Sequence, residues 1–367
     1  MNVPKIRFSG FEEEWQENKL CDIARITMGQ SPNSENYTND SNDTLLIQGN
    51  ADLNNGKVIP RLFTKQVTKT CDKNDIIMTV RAPVGDIAIS DYNACIGRGV
   101  CSIKSSKFVY HYLDYLKMKD YWKKISKGST IDSITSDDIK SLLIKTPNKK
   151  EEEKIIKTID LINKKIELQS KKIEDLKLFK KGLLYNEKRN NNSWNEYKIS
   201  DIMNIARGTV IPKTEISECL NNEFRYPVYS SQTSNNGILG YDNKYDFNGK
   251  FLTWTTDGAN AGKIFYREGK FRCTNVCGIL YNKDNRYVSE LTAELLNIET
   301  PKYVSYVGNP KLMNNVMSNI IIKLPDPSRD HFFSSILKII NKKLTIEEEK
   351  LDKLFELKKG LIQNMFV

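Results

Sequence analysis

The sequence predicts an α/β (α+β) tandem duplication, with two globular blocks and two long helices packed on one another. Three observations predict it. First, the chain repeats itself in order. "WQENKLCDIARITMG" from Trp15 returns as "WNEYKISDIMNIARG" from Trp194, "IKTP" from Ile144 as "IKLP" from Ile322, and "INKK" from Ile162 as "INKK" from Ile340. The offset stays between 176 and 179 residues throughout. Second, each copy ends in a long, charged segment with an apolar residue every three or four positions. Third, at 367 residues the chain exceeds what one ordinary core supports.

The expected boundaries are a first block over 1–148, a first long helix over 149–188, a second block over 189–327 and a second long helix over 328–367. In the first block, "DIIMTVRAPVGDIAIS" (75–90) alternates β-branched residues around a Gly turn and reads as strands. "FVYHYLDYLKMKDYWKKIS" (108–126) reads as one amphipathic helix with Tyr112, Leu113, Leu116 and Trp122 inward. The first long segment carries Ile155, Ile159, Ile162, Ile166, Ile173, Leu176 and Leu183 on one stripe, interrupted by Gln169 and Lys180. The Asn- and Ser-rich "NEKRNNNSWNEYK" (186–198) reads as the joint between halves. In the second block, "KFLTWTTDGANAGKIFY" (250–266) repeats the strand pattern. The second long segment carries Phe333, Leu337, Ile340, Leu344, Leu351, Leu354 and Leu361, interrupted by Glu347 and Lys358 at the positions matching the first copy. Such stripes must be buried against another helix, and matching interruptions imply that the two face each other in a fixed register. About 35 residues make a helix of roughly 50 Å. Pro147 and Pro325 precede the two helices, where proline is tolerated. A homodimeric coiled coil is the alternative; a chain with two matching stripes satisfies itself.

The net charge of +10 points to a polyanionic partner. Half of it, +5, lies in 149–189, and a further +2 in 328–367, so the globular blocks touch DNA, if at all, through local patches. The seven cysteines are odd in number and scattered. Cys273 and Cys277 are the one close pair, and with only His111 and His331 elsewhere they read as buried thiols, with no metal site. No apolar run reaches bilayer length and the first residues lack the apolar stretch of a signal peptide, so a cytoplasmic protein is expected.

The patterns of common catalysts are missing. There is no Gly-rich nucleotide loop of the Walker type and no Asn/Asp-Pro-Pro-aromatic run. The "EEEK" strings sit in the long helices and read as solvated faces, and two histidines leave few general-base schemes. No catalytic residue is assigned, and the expectation is a non-enzyme.

The order "WQENKLCDI", "VRAPVGDIAI", "ACIGRGVC", "KGSTIDSITSDDIKSLLIKTP", "INKKIELQSKKIEDLKLFKKGLL", followed by "WNEYKISDI", "YPVYSSQTSNNGILGY", "GANAGKI" and "INKKLTIEEEKLDKLFELKKGLIQNMF", resembles the specificity (S) subunit of type I restriction-modification systems over nearly the whole chain. Two details differ: "PNKKEEEKI" and "PDPSRDHFF" stand where many members carry Pro-x-x-x-Glu-Gln, and the second half has "VGNPKLM" (307–313) in place of the "GST" loop. The resemblance implies two target-recognition domains, each reading one half of a bipartite double-stranded DNA target, on long helices packed as an antiparallel coiled coil. It also implies two methyltransferase (modification) subunits docked on the helices, with restriction/translocase subunits joining them. S-adenosylmethionine, ATP and Mg would then belong to those partners, and this chain would carry no cofactor.

Base edges are read by Arg, Lys, Asn and Gln at loops. The base-reading candidates are therefore Gln48, Asn50, Arg81 and Arg98 in the first half. In the second they are Ser230, Ser231, Gln232, Thr233, Asp257, Arg272, Thr274 and Asn275. Lys127, Ser129 and Thr130 in "KGST", and Lys311 in the second half, are candidates for phosphate contacts. The alternative from another class is a coiled-coil scaffold without DNA binding. Two large, divergent blocks on matching frames speak against it.

Overall fold

The computed structural model describes residues 3–126, 133–190, 194–282 and 285–367, and every count below refers to these. The chain forms two compact units that do not coincide with its two sequence halves. One unit comprises Met1–Gln169 and Lys350–Val367, the other Ser170–Glu349.

In the first unit, strand Gln16–Lys19 pairs antiparallel with Leu143–Thr146, Gln16 opposite Thr146. A six-stranded sheet runs Arg25–Met28, Val100–Lys104, Ile76–Thr79, Ile87–Ile89, Lys57–Val58, Leu53–Asn54, and a five-stranded sheet has Thr44–Ile47 at its centre beside Ala94–Ile96. The region expected as one helix over 108–126 is two, Lys107–Met118 and Tyr121–Ser126. Asp120 takes a left-handed backbone (φ 53°) between them, a conformation that a short polar side chain tolerates and that ends a helix. Tyr112, Leu113, Leu116 and Trp122 are all buried.

The second unit repeats the two-stranded and the six-stranded sheet, with no separate five-stranded sheet among its described residues. Asn195–Lys198 pairs antiparallel with Ile321–Leu324, Asn195 opposite Leu324. Its six-stranded sheet runs Asn204–Arg207, Cys277–Tyr281, Phe247–Thr255, Ile264–Cys273, Tyr226–Tyr229, Ile238–Asp242. Cys273 and Cys277 are buried at the facing ends of two of these strands. Helix Glu290–Glu299 is capped by Ser289, whose hydroxyl accepts from the Thr292 N–H at 3.1 Å.

The long helices run Lys149–Asn190 and Pro327–Met365. Asn148 caps the first, its Oδ1 accepting from Glu151 N at 3.0 Å. Asp326 caps the second, accepting from Ser328 and Arg329 N, with Pro327 at the first helical position. Each unit holds the start of one long helix and the end of the other. In the first, Ile155 and Ile159 share a core with Ile362, Met365 and Phe366. In the second, Leu184 shares a core with Phe333 and Leu337. Both arrangements set the helices antiparallel.

Along the stripe, Ile155, Ile159, Ile162, Ile173, Phe333, Leu337, Ile340 and Leu344 are buried, while Ile166, Leu176, Leu351 and Leu354 are half-buried. At both C-terminal ends the deepest position is one residue beyond the expected one. Leu184 and Ile362 enter the cores, and Leu183 and Leu361 pack partly against them. A straight 3.6-residue helix drifts about 20° per heptad from a 3.5-residue repeat, which brings the next residue onto the buried line. The polar interruptions are paired. Lys180 Nζ lies 2.6 Å from Glu294 and 2.8 Å from Asn341, and Lys172 lies 2.9 Å from the buried Glu347. In the first unit Lys358, the counterpart of Lys180, lies 3.6 Å from Asp114.

Truncating Leu184 or Ile362 to Ala costs about 2–5 kcal/mol, against less than about 1.5 kcal/mol for half-buried Leu183 or Leu361. Thermal unfolding of the four single variants ranks them. An equal loss from Leu361→Ala and Ile362→Ala would contradict this packing.

Candidate nucleic-acid interface

In the first unit four of the sequence candidates meet at one cleft of about 560 Å³, lined by Gln48, Asn50, Arg81 and Arg98. Strand Thr44–Ile47 ends at Gln48, where the Asp52 carboxylate accepts from the N–H groups of Gln48 (2.8 Å) and Gly49 (3.1 Å) and fixes the turn. The segment "GRG" (97–99) lies directly on this turn. A Cβ on Gly99 would sit 2.1 Å from the Gln48 carbonyl oxygen, so only glycine permits the approach. Arg98, between the two glycines, donates its N–H to Ser31 Oγ at 3.1 Å and leaves its guanidinium exposed. Arg81 is also exposed and forms an isolated bridge with Ser133.

The cleft lining therefore carries two guanidinium groups and no carboxylate. The Gln48 side-chain nitrogen is buried with no hydrogen-bond partner. An unpaired buried donor costs about 1–3 kcal/mol, which an acceptor on a ligand would recover. Asn50 departs from expectation: its amide donates to Asp86, which Lys117 also contacts, so that donor is already engaged. The sequence reading missed Ser31, Asn33, Ser34 and Tyr37, which line the opposite wall. Their signal was the polar run "QSPNSENY" directly after Gly29. Lys127, Ser129 and Thr130 lie outside the described residues.

The second unit uses the same positions differently. Gly208, the counterpart of Gly29, is closely covered: a Cβ there would lie 2.3 Å from the Thr274 carbonyl oxygen. Asp257 occupies the place of Arg81 and bridges Lys311 as Arg81 bridges Ser133. Asp257 accepts from Thr256 Oγ1 at 2.6 Å and has Arg207 and Lys311 at 3.7 and 4.0 Å. Arg207, which the sequence reading overlooked in "IARG" (205–208), donates to the carbonyl of the exposed Asn275 at 2.6 Å. Arg207, Asp257, Asn275 and Lys311 thus form one polar cluster.

The loop 230–237 carries Ser230, Ser231, Gln232 and Thr233, all half-buried. Asn235, Asn236 and Gly237 turn it through three consecutive left-handed residues. The Gln232 amide donates to the Ile238 carbonyl, and the buried Thr274 bonds Ser230 Oγ at 3.1 Å, so both serve the loop's shape. Beneath it Arg267 is buried, its guanidinium 3.6 Å from the Tyr229 ring centre and 4.4 Å from that of Phe265. Burial pushes its pKa down, and the aromatic faces supply part of the missing solvation.

Arg272 is corrected from base reader to framework. Its Nη1 lies 2.6 Å from the buried Asp242 and 3.3 Å from Glu215, and its Nε 3.2 Å from Asp246. Three carboxylates around a mostly covered guanidinium leave it no free fork for a base. Burial raises the Asp242 carboxyl, but bonds from Lys244 N–H and Arg272 outweigh it and hold the group below its ordinary range.

Two units of one α/β plan, each presenting loops with Arg, Asn and Gln at the ends of its central strands and each packed on paired long helices, define a duplicated recognition module. The family comparison gives it a name. The model of the type I restriction modification DNA specificity domain matches twice, over residues 12–178 and 191–356, and the chain belongs to this family. A protein of Mycoplasma pneumoniae named as a type I specificity subunit is 46% identical over 125 residues, 34% of this chain and 65% of that protein. A protein of Methanocaldococcus jannaschii named as a type I restriction enzyme specificity subunit is 35% identical over 180 residues, 47% of this chain and 42% of its own length. The matches thus span about two fifths to two thirds of these relatives. Among solved structures, the type I restriction-modification S subunit from M. genitalium shares the fold with a TM-score of 0.74 at 17% identity, covering 100% of this chain and 99% of that one.

Substituting Arg272 with Met leaves the buried Asp242 unpaired and costs about 3–5 kcal/mol, whereas Arg98→Ala stays within about 0.5 kcal/mol. Because the Asp242 carboxyl is depressed in the fold, its contribution is full at neutral pH and disappears as pH falls through its folded pKa. Urea unfolding at pH 7 and pH 3 tests both statements: the gap between wild type and Arg272→Met must narrow in acid.

Proposed function

We propose that this chain is the non-catalytic DNA-specificity subunit of a type I restriction-modification complex. Each unit reads one half of a bipartite double-stranded DNA target, and the paired helices set the spacing between the halves. The observation that carries the reading is the first-unit cleft. Gln48, Arg81 and Arg98 converge there from three separate loops, with no carboxylate on its lining and one buried amide donor unpaired. Arg forks suit guanine and Gln suits adenine, while a carboxylate-free rim suits the phosphates on either side. The second unit offers different residues at the matching positions, which fits a different half-site.

Methyltransferase subunits are the partners this reading requires, and S-adenosylmethionine, ATP and Mg belong to them and to the restriction/translocase subunits. The long helices offer a matching surface. The first unit exposes Leu161, Leu168 and Leu357, and the second exposes Ile339, Ile346 and Phe179, each pair related by the 178-residue repeat. Large apolar side chains duplicated at exposed positions mark protein contacts. None of the described helices is long and apolar enough to cross a membrane.

Mapping methylated bases in the parent strain and in a strain lacking this chain tests the function. Loss of one split motif with a fixed, unspecified spacer is expected, and replacing block 189–327 should change only one half-site. Identical methylation in a strain whose methyltransferase is expressed would sink the proposal and favour a scaffold. Leu161→Asp with Leu168→Asp should abolish co-purification of the methyltransferase with the thermal unfolding profile unchanged; retained co-purification would place that contact elsewhere.

A further inference from the structure

In the second unit one projection is built unlike a solvated loop. Ser305 and Lys311 close a hairpin with two backbone hydrogen bonds, 2.9 and 3.0 Å. Its base is held firmly: Gly258 N–H donates to the Pro310 carbonyl (2.9 Å), Leu312 N–H to that of Thr256 (2.9 Å), and the Trp254 indole to that of Leu312 (3.0 Å). Val304 and Leu312 anchor its two arms in the core. Gly308 turns the tip with φ 75°, and Pro310 fixes the return. Yet the tip is apolar. Tyr306 is 67% exposed and Val307 93%, and neither belongs to a core cluster.

A rigid support for an exposed aromatic and a β-branched residue calls for an occupant. The surroundings identify it. The hairpin grows from Asp257 and Lys311, beside Arg207 and Asn275; of this polar cluster, Asp257 and Asn275 match Arg81 and Gly99, which line the first unit's cleft. Lys302 and Lys311 flank the hairpin, each beside a carboxylate: Lys302 Nζ lies 2.5 Å from Glu299 and Lys311 Nζ 4.0 Å from Asp257. An apolar tip on the face that carries the counterparts of the first unit's cleft has the composition of a wedge that enters a DNA groove and partly unstacks a base step. The tip's place beside the counterparts of Arg81 and Gly99 sets it on the face proposed to read DNA, and a solvated loop would not carry the tyrosine and valine.

We propose that Tyr306 and Val307 form a wedge that inserts into the duplex at the half-site read by the second unit, so that this half-site is selected in part by how readily one base step opens. The inference rests on the DNA-reading function proposed above. It adds a mode of recognition that is independent of hydrogen bonds to base edges, since flexible pyrimidine–purine steps open at least cost. The matching segment of the first unit, 127–132, lies outside the described residues.

The test uses the full chain in complex with its methyltransferase subunits and a duplex carrying the target found by methylation mapping, dye-labelled at both ends. Tyr306→Ser with Val307→Ser should weaken binding about 10- to 100-fold, the range of base–aromatic stacking losses. It should also reduce the bend read by energy transfer and leave the slope of log affinity against log salt unchanged. Lys311→Ala should instead lower that slope by about one unit. Wild-type affinity and bend in the Tyr306/Val307 variant would overturn the wedge while leaving the DNA reader standing. Loss of the methyltransferase from the variant complex would overturn it too, by showing the tip to be a protein contact. A wild-type complex that does not distinguish the target from a scrambled duplex would bring down the DNA-reading function itself and the wedge with it.

Discussion

Everything in this chain depends on each compact unit being closed by the end of a long helix that lies in the other half of the sequence. In the first unit Trp15 packs edge-on against Phe108 at 5.7 Å, and Phe366, from the last turn of the chain, completes the cluster at 5.3 Å from Phe108. Tyr112 donates its hydroxyl to the Val367 carbonyl at 2.9 Å. In the second unit Leu183 and Leu184 of the first long helix play the matching part. Burying large aromatic and aliphatic groups is the main favourable term in folding, so neither half of the sequence carries a finished core.

That constraint explains why the polar interruptions of the stripe are kept in both copies. Lys180 reaches Glu294 and Asn341 on the second unit's own elements, and Lys358 reaches Asp114 on the first. A buried or half-buried lysine is tolerated only with a partner, so these pairs are satisfied in one register of helix against domain and unsatisfied in any other. Apolar contacts supply the stability here and the ion pairs supply the alignment.

The two candidate surfaces show how one plan carries two chemistries. Close backbone approaches are shared: Gly29 and Gly208 each sit against a carbonyl that any side chain would strike. On that common base the first unit builds a concave, cationic cleft and the second a polar cluster with a projecting apolar hairpin. The exchange of Arg81 for Asp257 at equivalent bridges marks the divergence most directly. With Asp257 set between Arg207 and Lys311, local charge in the second unit is close to balanced, whereas the first unit's cleft is uncompensated.

The duplication and the two helices were legible in the sequence, because repeats and apolar periodicity are local properties that survive without knowledge of contacts; the antiparallel packing came only with the family resemblance. Gln48, Arg81 and Arg98 could be named as candidates from their residue types, but that they line one cleft is a matter of the tertiary structure. The break at Asp120, the shift to Leu184 and Ile362, and the conversion of Arg272 into framework were not legible in the sequence. Each depends on what lies across space: a helix end on the core it meets, a helix phase on accumulated twist, and an arginine on three carboxylates as distant in sequence as Glu215. Sequence by itself determined the repeated units and the surface chemistry each carries. Only the tertiary structure decided which half supplies the last helical turns of each core, because burial is settled by which surfaces meet and not by which residues are neighbours along the chain.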